Sequence, residues 1–265
     1  MAIDQRFVDR WLARLARWVA YHPVAGSEGA VALAGELTSE LSELGFDVER
    51  AHHEDGALLI ATSSNGPGVR LGLYGHYDVA EGGSPVLAVS EGRLSGRGVA
   101  DNLGSLALRL EVLRTMGVDG MLVWVIEPGE EAGSRSLATW LDDTGGVSVD
   151  LWLDETGYFE TNGDQRVLSV YNDPLVEGAV EVVGELARAD GRGIRREQRR
   201  LRRVSVEAVP AVERLFGTRP YLAIGPNDER SDVHGDRESI ALDAAMLAAR
   251  QFAALVTWAG RQGNR

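Results

Sequence analysis

The sequence predicts an α/β fold of three layers, a mostly parallel sheet with helices on both faces. Three observations predict it. Short apolar runs bounded by Gly, Asn or Pro alternate with longer segments of helical period. That alternation is the pattern of a sheet with crossover helices. Isolated acids and histidines also fall where the strands end, which is where open α/β sheets collect their ligands.

The elements follow in order. Residues 4–20 place Phe7, Trp11, Leu12, Leu15 and Trp18 at helical spacing, with Arg6, Arg10, Arg14 and Arg17 on another face. Residues 27–44 repeat the pattern until Gly45 stops it. Strands are expected at 57–62 and 69–74, then helix 103–116, strand 121–126, helix 134–141 and strand 150–154. A hairpin around Asn162 and Gly163 leads to a helix at 174–189. An Arg-rich stretch, a short helix near 209–215, a strand at 221–224 and a helix at 240–258 complete the chain. With no internal repeat and no low-complexity linker, residues 1–265 read as a single domain.

Composition excludes several classes. Cysteine is absent from the 265 residues, so any metal must be held by His, Asp and Glu. No apolar run is long enough to span a bilayer, and the arginines within the first twenty residues interrupt any signal-peptide core. A cytoplasmic protein is the expectation. The net charge of −13 argues against nucleic acid and anionic membranes as partners. All 27 basic residues are Arg, and seven of them (Arg192, Arg195, Arg196, Arg199, Arg200, Arg202 and Arg203) lie within twelve residues whose only acid is Glu197. Such a run is usually a solvated face paired with the protein's own acids. It is also a surface that an acidic partner would find.

Taken singly, each polar residue at a strand end has an ordinary explanation. His76 after an apolar strand reads as a hydrogen-bonded structural histidine. Asp101-Asn102 reads as a helix cap, Glu130-Glu131 as an acidic helix start, and Asp154 and His234 as turn and loop residues. Together they are more specific, because two imidazoles and several carboxylates from distant segments reach one rim, a donor mixture suited to zinc. Gly72, Gly75, Gly96, Gly98, Gly129 and Gly133 accompany them and permit close backbone approach.

The stretches Gly75-His76-Tyr77-Asp78-Val79, Gly92 through Asn102 (GRLSGRGVADN) and Glu127 through Ser134 (EPGEEAGS) resemble the zinc metallopeptidase family of carboxypeptidase G, aminoacylase, acetylornithine deacetylase and succinyl-diaminopimelate desuccinylase. Asp154 and His234 complete the set. The resemblance implies two Zn2+ ions, with Co2+ or Mn2+ accepted by the same ligands. Asp101 would bridge them, His76 and Asp154 would complete one site, and Glu131 and His234 the other. Glu130 would be the general base, and Asp78 would orient His76. The implied activity is amide hydrolysis that releases an amino acid or related amine from an N-acyl, dipeptide or carrier-linked substrate.

The sequence departs from that family in three places. The lid and dimerisation domain of most relatives is missing between about 156 and 173, which leaves its oxyanion and substrate contacts without a template. The segment expected before the last strand is replaced by the Arg-rich run, and Leu103 stands where the family usually has Lys. Only twenty residues separate His76 from Gly96, a short loop similar to that of hydrolases releasing lysine or ornithine from an acidic amino-group carrier protein. An acidic carrier docking at Arg192–Arg203 is therefore one expected partner. A lidless aminopeptidase and a non-catalytic metal-binding scaffold are the alternatives.

Overall fold

The computed structural model describes residues 3–262 apart from 67, 119 and 199–209. Two helices, α1 (Gln5–Tyr21) and α2 (Glu28–Glu43), open the chain. Their N-caps are Asp4 and Ser27, whose side chains accept from the amides of Phe7 and Ala30. A hairpin follows, β1 (Asp47–His53) and β2 (Gly56–Asn65), and then β3 (Leu71–His76). Two short strands, β4 (Ala88–Ser90) and β5 (Arg93–Ser95), precede α3 (Leu103–Met116). Next come β6 (Gly120–Glu127), α4 (Arg135–Thr144), β7 (Leu151–Asp154), the hairpin β8 (Tyr158–Phe159) with β9 (Gln165–Ser169), and α5 (Pro174–Ala189). The chain continues through β10 (Ile194–Gln198), α6 (Ala211–Phe216), β11 (Tyr221–Ala223), β12 (Asn227–Asp228), β13 (Ser239–Ala241) and α7 (Leu242–Arg261).

The main sheet runs β1-β2-β6-β3-β7-β11-β9-β8-β12, with β10 paired to β9. Its centre, β6-β3-β7-β11, is parallel. In the flanks β1-β2, β2-β6, β11-β9 and β9-β8 pair antiparallel while β12-β8 and β10-β9 pair parallel, so the sheet as a whole is mixed. Side chains alternate between two cores, as the two-residue strand period requires. Leu122, Trp124 and Ile126 of β6 pack with α1, α2, α3, α5 and α7, whereas Val123 and Val125 pack with α4 and α6. Helices thus cover both faces. Gly72 in β3 is small because the Trp152 ring of β7 lies where its Cβ would be, 2.4 Å away.

Several expectations are corrected in detail. The Arg-rich stretch begins as a strand, not a helix face: Ile194–Gln198 pairs in parallel with Gln165–Ser169. Arg199, Arg200, Arg202, Arg203 and Val209 lie outside the described residues, and the short helix begins at Ala211. The last helix begins at Leu242, because Ser239–Ala241 pairs with β5. Between β7 and α5 the chain forms only the β8-β9 hairpin. No helix of the described residues is long and apolar enough to cross a membrane.

Candidate metal centre

The carboxyl ends of the parallel strands lie along one edge, and they deliver the site. His76 ends β3 and pairs in register with Glu127, the end of β6, which leads into Glu130 and Glu131. Asp154 ends β7, and Asp101 comes just before α3. Asn102 occupies the N-cap position of α3 but makes no capping bond; its amide donates instead to the carboxylate of Glu155. Capping therefore does not account for this pair of residues.

Asp101 is the centre of the arrangement. His76 Nε2 lies 2.9 Å from its Oδ1, and His234 Nε2 lies 3.2 Å from its Oδ2. Glu131 Oε1 is 2.9 Å from the same His234 nitrogen. One oxygen or nitrogen from each of Asp101, Glu131 and His234 lies within 4.8 Å of the others, a group able to hold a metal ion. Glu131 Oε1 is buried and has no hydrogen-bond partner despite that close nitrogen. The two atoms are close without forming a hydrogen bond, which fits a cation held between them.

Asp78 supports this centre twice over. Its Oδ1 is 3.2 Å from His76 Nδ1, which leaves Nε2 to face Asp101. The same carboxylate accepts the backbone amides of Glu130 and Glu131, each at 3.0 Å. One buried acid thereby fixes an imidazole and the turn carrying two glutamates. Only its role toward His76 was expected.

Asp154 lines the same cavity as His76, Asp101 and Glu130, but it does not belong to the three-residue group. Its Oδ2 accepts from Thr156 Oγ1 at 2.8 Å and from the Tyr221 hydroxyl, and its Oδ1 from the Glu155 amide at 2.9 Å. The geometry therefore pairs His76 with Asp101 directly and brings Asp154 only to the cavity wall. Tyr221 and Thr156 were not foreseen, because a Tyr on a short apolar strand and a Thr in a turn carry no distinctive spacing.

The electrostatics are those of crowded carboxylates. Burial alone would lower the pKa of His76, but its hydrogen bonds to Asp101 and Asp78 and their charges outweigh it, so the imidazole titrates well above its ordinary value. Burial would raise Asp101, yet the contacts with His76 and His234 hold it below the usual range. Glu130 and Glu131 are raised, chiefly by burial and then by Asp101's negative charge against the pull of the imidazoles. Glu155, beside Asp154, is pushed up to about 8 by burial and by that neighbour's charge, despite Arg109 at 3.4 Å. Burial of several acids around two imidazoles is favourable only if positive charge joins them.

The cavity above these groups measures about 820 Å3. Tyr74, Leu168 and Phe216 give it apolar walls, and Arg196 and Gln198 of β10 also line it. The three described arginines of the Arg-rich stretch are paired within the chain. Arg192 contacts Asp243 at 2.6 Å, Arg195 contacts Glu160 at 2.6 Å, and Arg196 contacts Glu177 at 2.7 Å.

Comparison with known proteins places this site in context. A cysteinylglycine-S-conjugate dipeptidase of Corynebacterium striatum is 34% identical over 113 residues, a match that takes in 37% of this chain and 25% of that enzyme. The chain thus matches about a quarter of that relative's length. In structure it is similar to an M20 family metallo-carboxypeptidase of Sulfolobus solfataricus, with a TM-score of 0.75 and 12% identity over 97% of this chain and 100% of the other. The dipeptidase Dug1p of Saccharomyces cerevisiae follows at 0.72 and 12%, over 98% and 97% of the two chains. Human carnosine dipeptidase 1 gives 0.71 and 11%, over 97% and 98%. At such identities these structures show a shared fold. The model of peptidase family M20/M25/M40 matches residues 72–258, more than half of the sequence, and the chain therefore belongs to that family.

Proposed function

We propose that this chain is a metal-dependent hydrolase of amide bonds in small peptides or N-acyl amino acids, with dipeptides as the first substrate class to test. The observation that carries the reading is Asp101, whose two oxygens face two different imidazoles while Glu131 shares the second. His76, Asp101 and Asp154 are assigned to one cation and Asp101, Glu131 and His234 to another. Zinc is the expected metal, with cobalt or manganese accepted by the same ligands. When bound, the cations polarise the scissile carbonyl and make water more acidic.

The remaining roles belong to the chain's own residues. Glu130 lines the cavity, and its carboxyl is raised by burial, which suits a base that takes a proton from water and returns it to the leaving nitrogen. Asp78 holds His76 and the 130–131 turn, and Tyr221 and Thr156 hold Asp154. The similarity to dipeptidases supports a short substrate. We infer that no separate lid domain contributes, so the substrate's remaining contacts come from the β9, β10 and α6 wall of the cavity.

Metal analysis and an amide-hydrolysis screen on the purified chain and its Glu130→Gln variant test the reading. Bound divalent metal in both proteins, with kcat lowered at least about 100-fold in the variant, is the expected result. Metal without turnover on any dipeptide or N-acyl amino acid would favour the scaffold alternative. A strict need for a free substrate amino group would favour the aminopeptidase alternative. Carrier docking has less support than a small substrate, since Arg192, Arg195 and Arg196 are each committed to an internal acid.

A further inference from the structure

Arg97 and Glu238 form an ion pair at 2.6 Å, and both side chains are 2% exposed. They stand 141 positions apart and touch no substrate-facing surface in the cavity described above. Three of the pair's other side-chain contacts lead to backbone at or beside the candidate ligands Asp101 and His234, and a fourth leads to the 82–84 loop. Glu238 Oε1 accepts the amides of Ala100 at 2.9 Å and Asp101 at 3.1 Å. Arg97 Nη2 donates to the carbonyl of His234 at 3.0 Å, and its Nε donates to the carbonyl of Gly82 at 3.1 Å.

The pair is itself anchored. Arg97 follows β5 and Glu238 precedes β13, and these two strands pair antiparallel, with the Gly96 amide donating to the Glu238 carbonyl at 3.1 Å. The anchoring matters because of the backbone at His234. That residue has φ 65°, a left-handed conformation that a non-glycine residue holds only when its surroundings impose it. Arg97 holds the carbonyl of this strained residue, while its partner Glu238 holds the amide of Asp101. The two side chains thereby fix the backbone of Asp101 and of His234 relative to one another.

We propose that Arg97 and Glu238 are positioning residues that set the distance between Asp101 and His234 and so determine how tightly the cation between them is held. The proposal rests on the reading of Asp101, Glu131 and His234 as a cation site. Charge is essential to it, because a neutral amide in place of the Glu238 carboxylate sets an NH2 donor against either the Arg97 guanidinium or the amides of Ala100 and Asp101, and loses one side of the bridge.

The test is a zinc titration of the metal-stripped full chain against a competing chromophoric chelator, with thermal unfolding of the metal-free protein as the control for fold. Glu238→Gln is expected to weaken zinc binding about 10- to 100-fold. In a His234→Ala background the same substitution should add less than about threefold, because the ligand it positions is gone. A pair that served packing alone would lower the unfolding temperature and leave zinc affinity within about threefold of wild type, and that outcome overturns the proposal. If Glu238→Gln does not fold, Arg97→Lys decides. It keeps a charge opposite Glu238 but lacks the fork that reaches His234 and Gly82 together, and zinc affinity equal to wild type in this variant is equally fatal. A wild-type chain that binds no zinc sinks the metal-site reading itself; undisturbed binding in the variants sinks only the positioning role.

Discussion

At the scale of single residues, the site's order depends on acids that do not face the cavity. Asp78 is fully buried, and both of its oxygens are in use: Oδ1 serves His76 and the Glu130 amide, and Oδ2 serves the Glu131 amide. Asp78→Asn replaces one acceptor with a donor, so at least one backbone N–H is left facing another N–H. The expected result is a zinc affinity about 10- to 100-fold weaker, read by competition titration. A parallel fall in kcat is expected, because the turn carrying Glu130 is released. Loss of affinity with an unchanged kcat would show that the 130–131 turn is held by something else. Arg196 poses a different question. It lines the cavity, stacks on Tyr171 with 4.4 Å between guanidinium and ring centre, and pairs with Glu177. Arg196→Glu is expected to raise KM for dipeptides as much as for any carrier-linked substrate. A rise confined to the carrier-linked substrate would restore the docking surface that the sequence suggested.

At the scale of elements, the long helices were legible, and so were the short apolar strands β7 and β11, but the shortest polar strands were not. Helix α3 (Leu103–Met116) and helix α5 (Pro174–Ala189) fall on the residues that helical period and punctuation indicate. Strands of two or three residues, such as β4, β5, β12 and β13, contain less than two periods of alternation and leave no pattern to detect. Strand β1 was missed for another reason, since none of its seven residues is buried. Strand β10 sits inside a charged run, so its sheet pairing was hidden by composition. The site residues at strand ends could be found from their isolation among apolar runs. Glu238 could not, because an acid in a polar loop becomes informative only when Arg97 is seen beside it. The packing of α1 on α2 yields a pH prediction. Glu36 accepts from Arg17, Trp18 at 2.9 Å and Tyr21 at 2.9 Å. Burial would raise its pKa, but these hydrogen bonds and the Arg17 charge bring it down to about 2 from 4.5. A depressed carboxylate stabilises the fold above its unfolded pKa, and that stabilisation is lost as pH falls from about 4.5 toward 2. After discounting for solvent screening at this half-buried site, the contribution is about 1 to 2 kcal/mol. Glu36→Gln should therefore lower stability to urea by that amount at pH 7 and by almost nothing near pH 2. An equal deficit at both pH values would assign Glu36 a purely steric role.

At the scale of the whole molecule, the proposed metal binding would be coupled to folding, because the fold gathers acids that repel one another. Strands β3, β6 and β7, with the segment before α3, bring Asp78, Asp101, Glu130, Glu131, Asp154 and Glu155 to one edge, with His76 and His234 as the imidazoles among them. The raised pKa values of Glu130, Glu131 and Glu155 express the cost of burying these charges together. A ligand that binds only the folded state stabilises it, by about 4 kcal/mol at a thousandfold excess over Kd. For a chain of this size, that shifts Tm by roughly 10 °C. Thermal unfolding at neutral pH should thus show a Tm lower by about that amount once a chelator has removed the metal. Substituting a ligand should reverse the relation between the two states. Glu131→Gln removes one of the repelling charges, so its metal-free form should unfold at or above the temperature of metal-free wild type. The same substitution also removes a ligand, so added zinc should stabilise the variant much less. Repulsion is the wrong account of this edge if metal-free Glu131→Gln is clearly less stable than metal-free wild type. Packing of the Glu131 side chain would then outweigh its charge, and the acids would be held together by the fold without needing a cation.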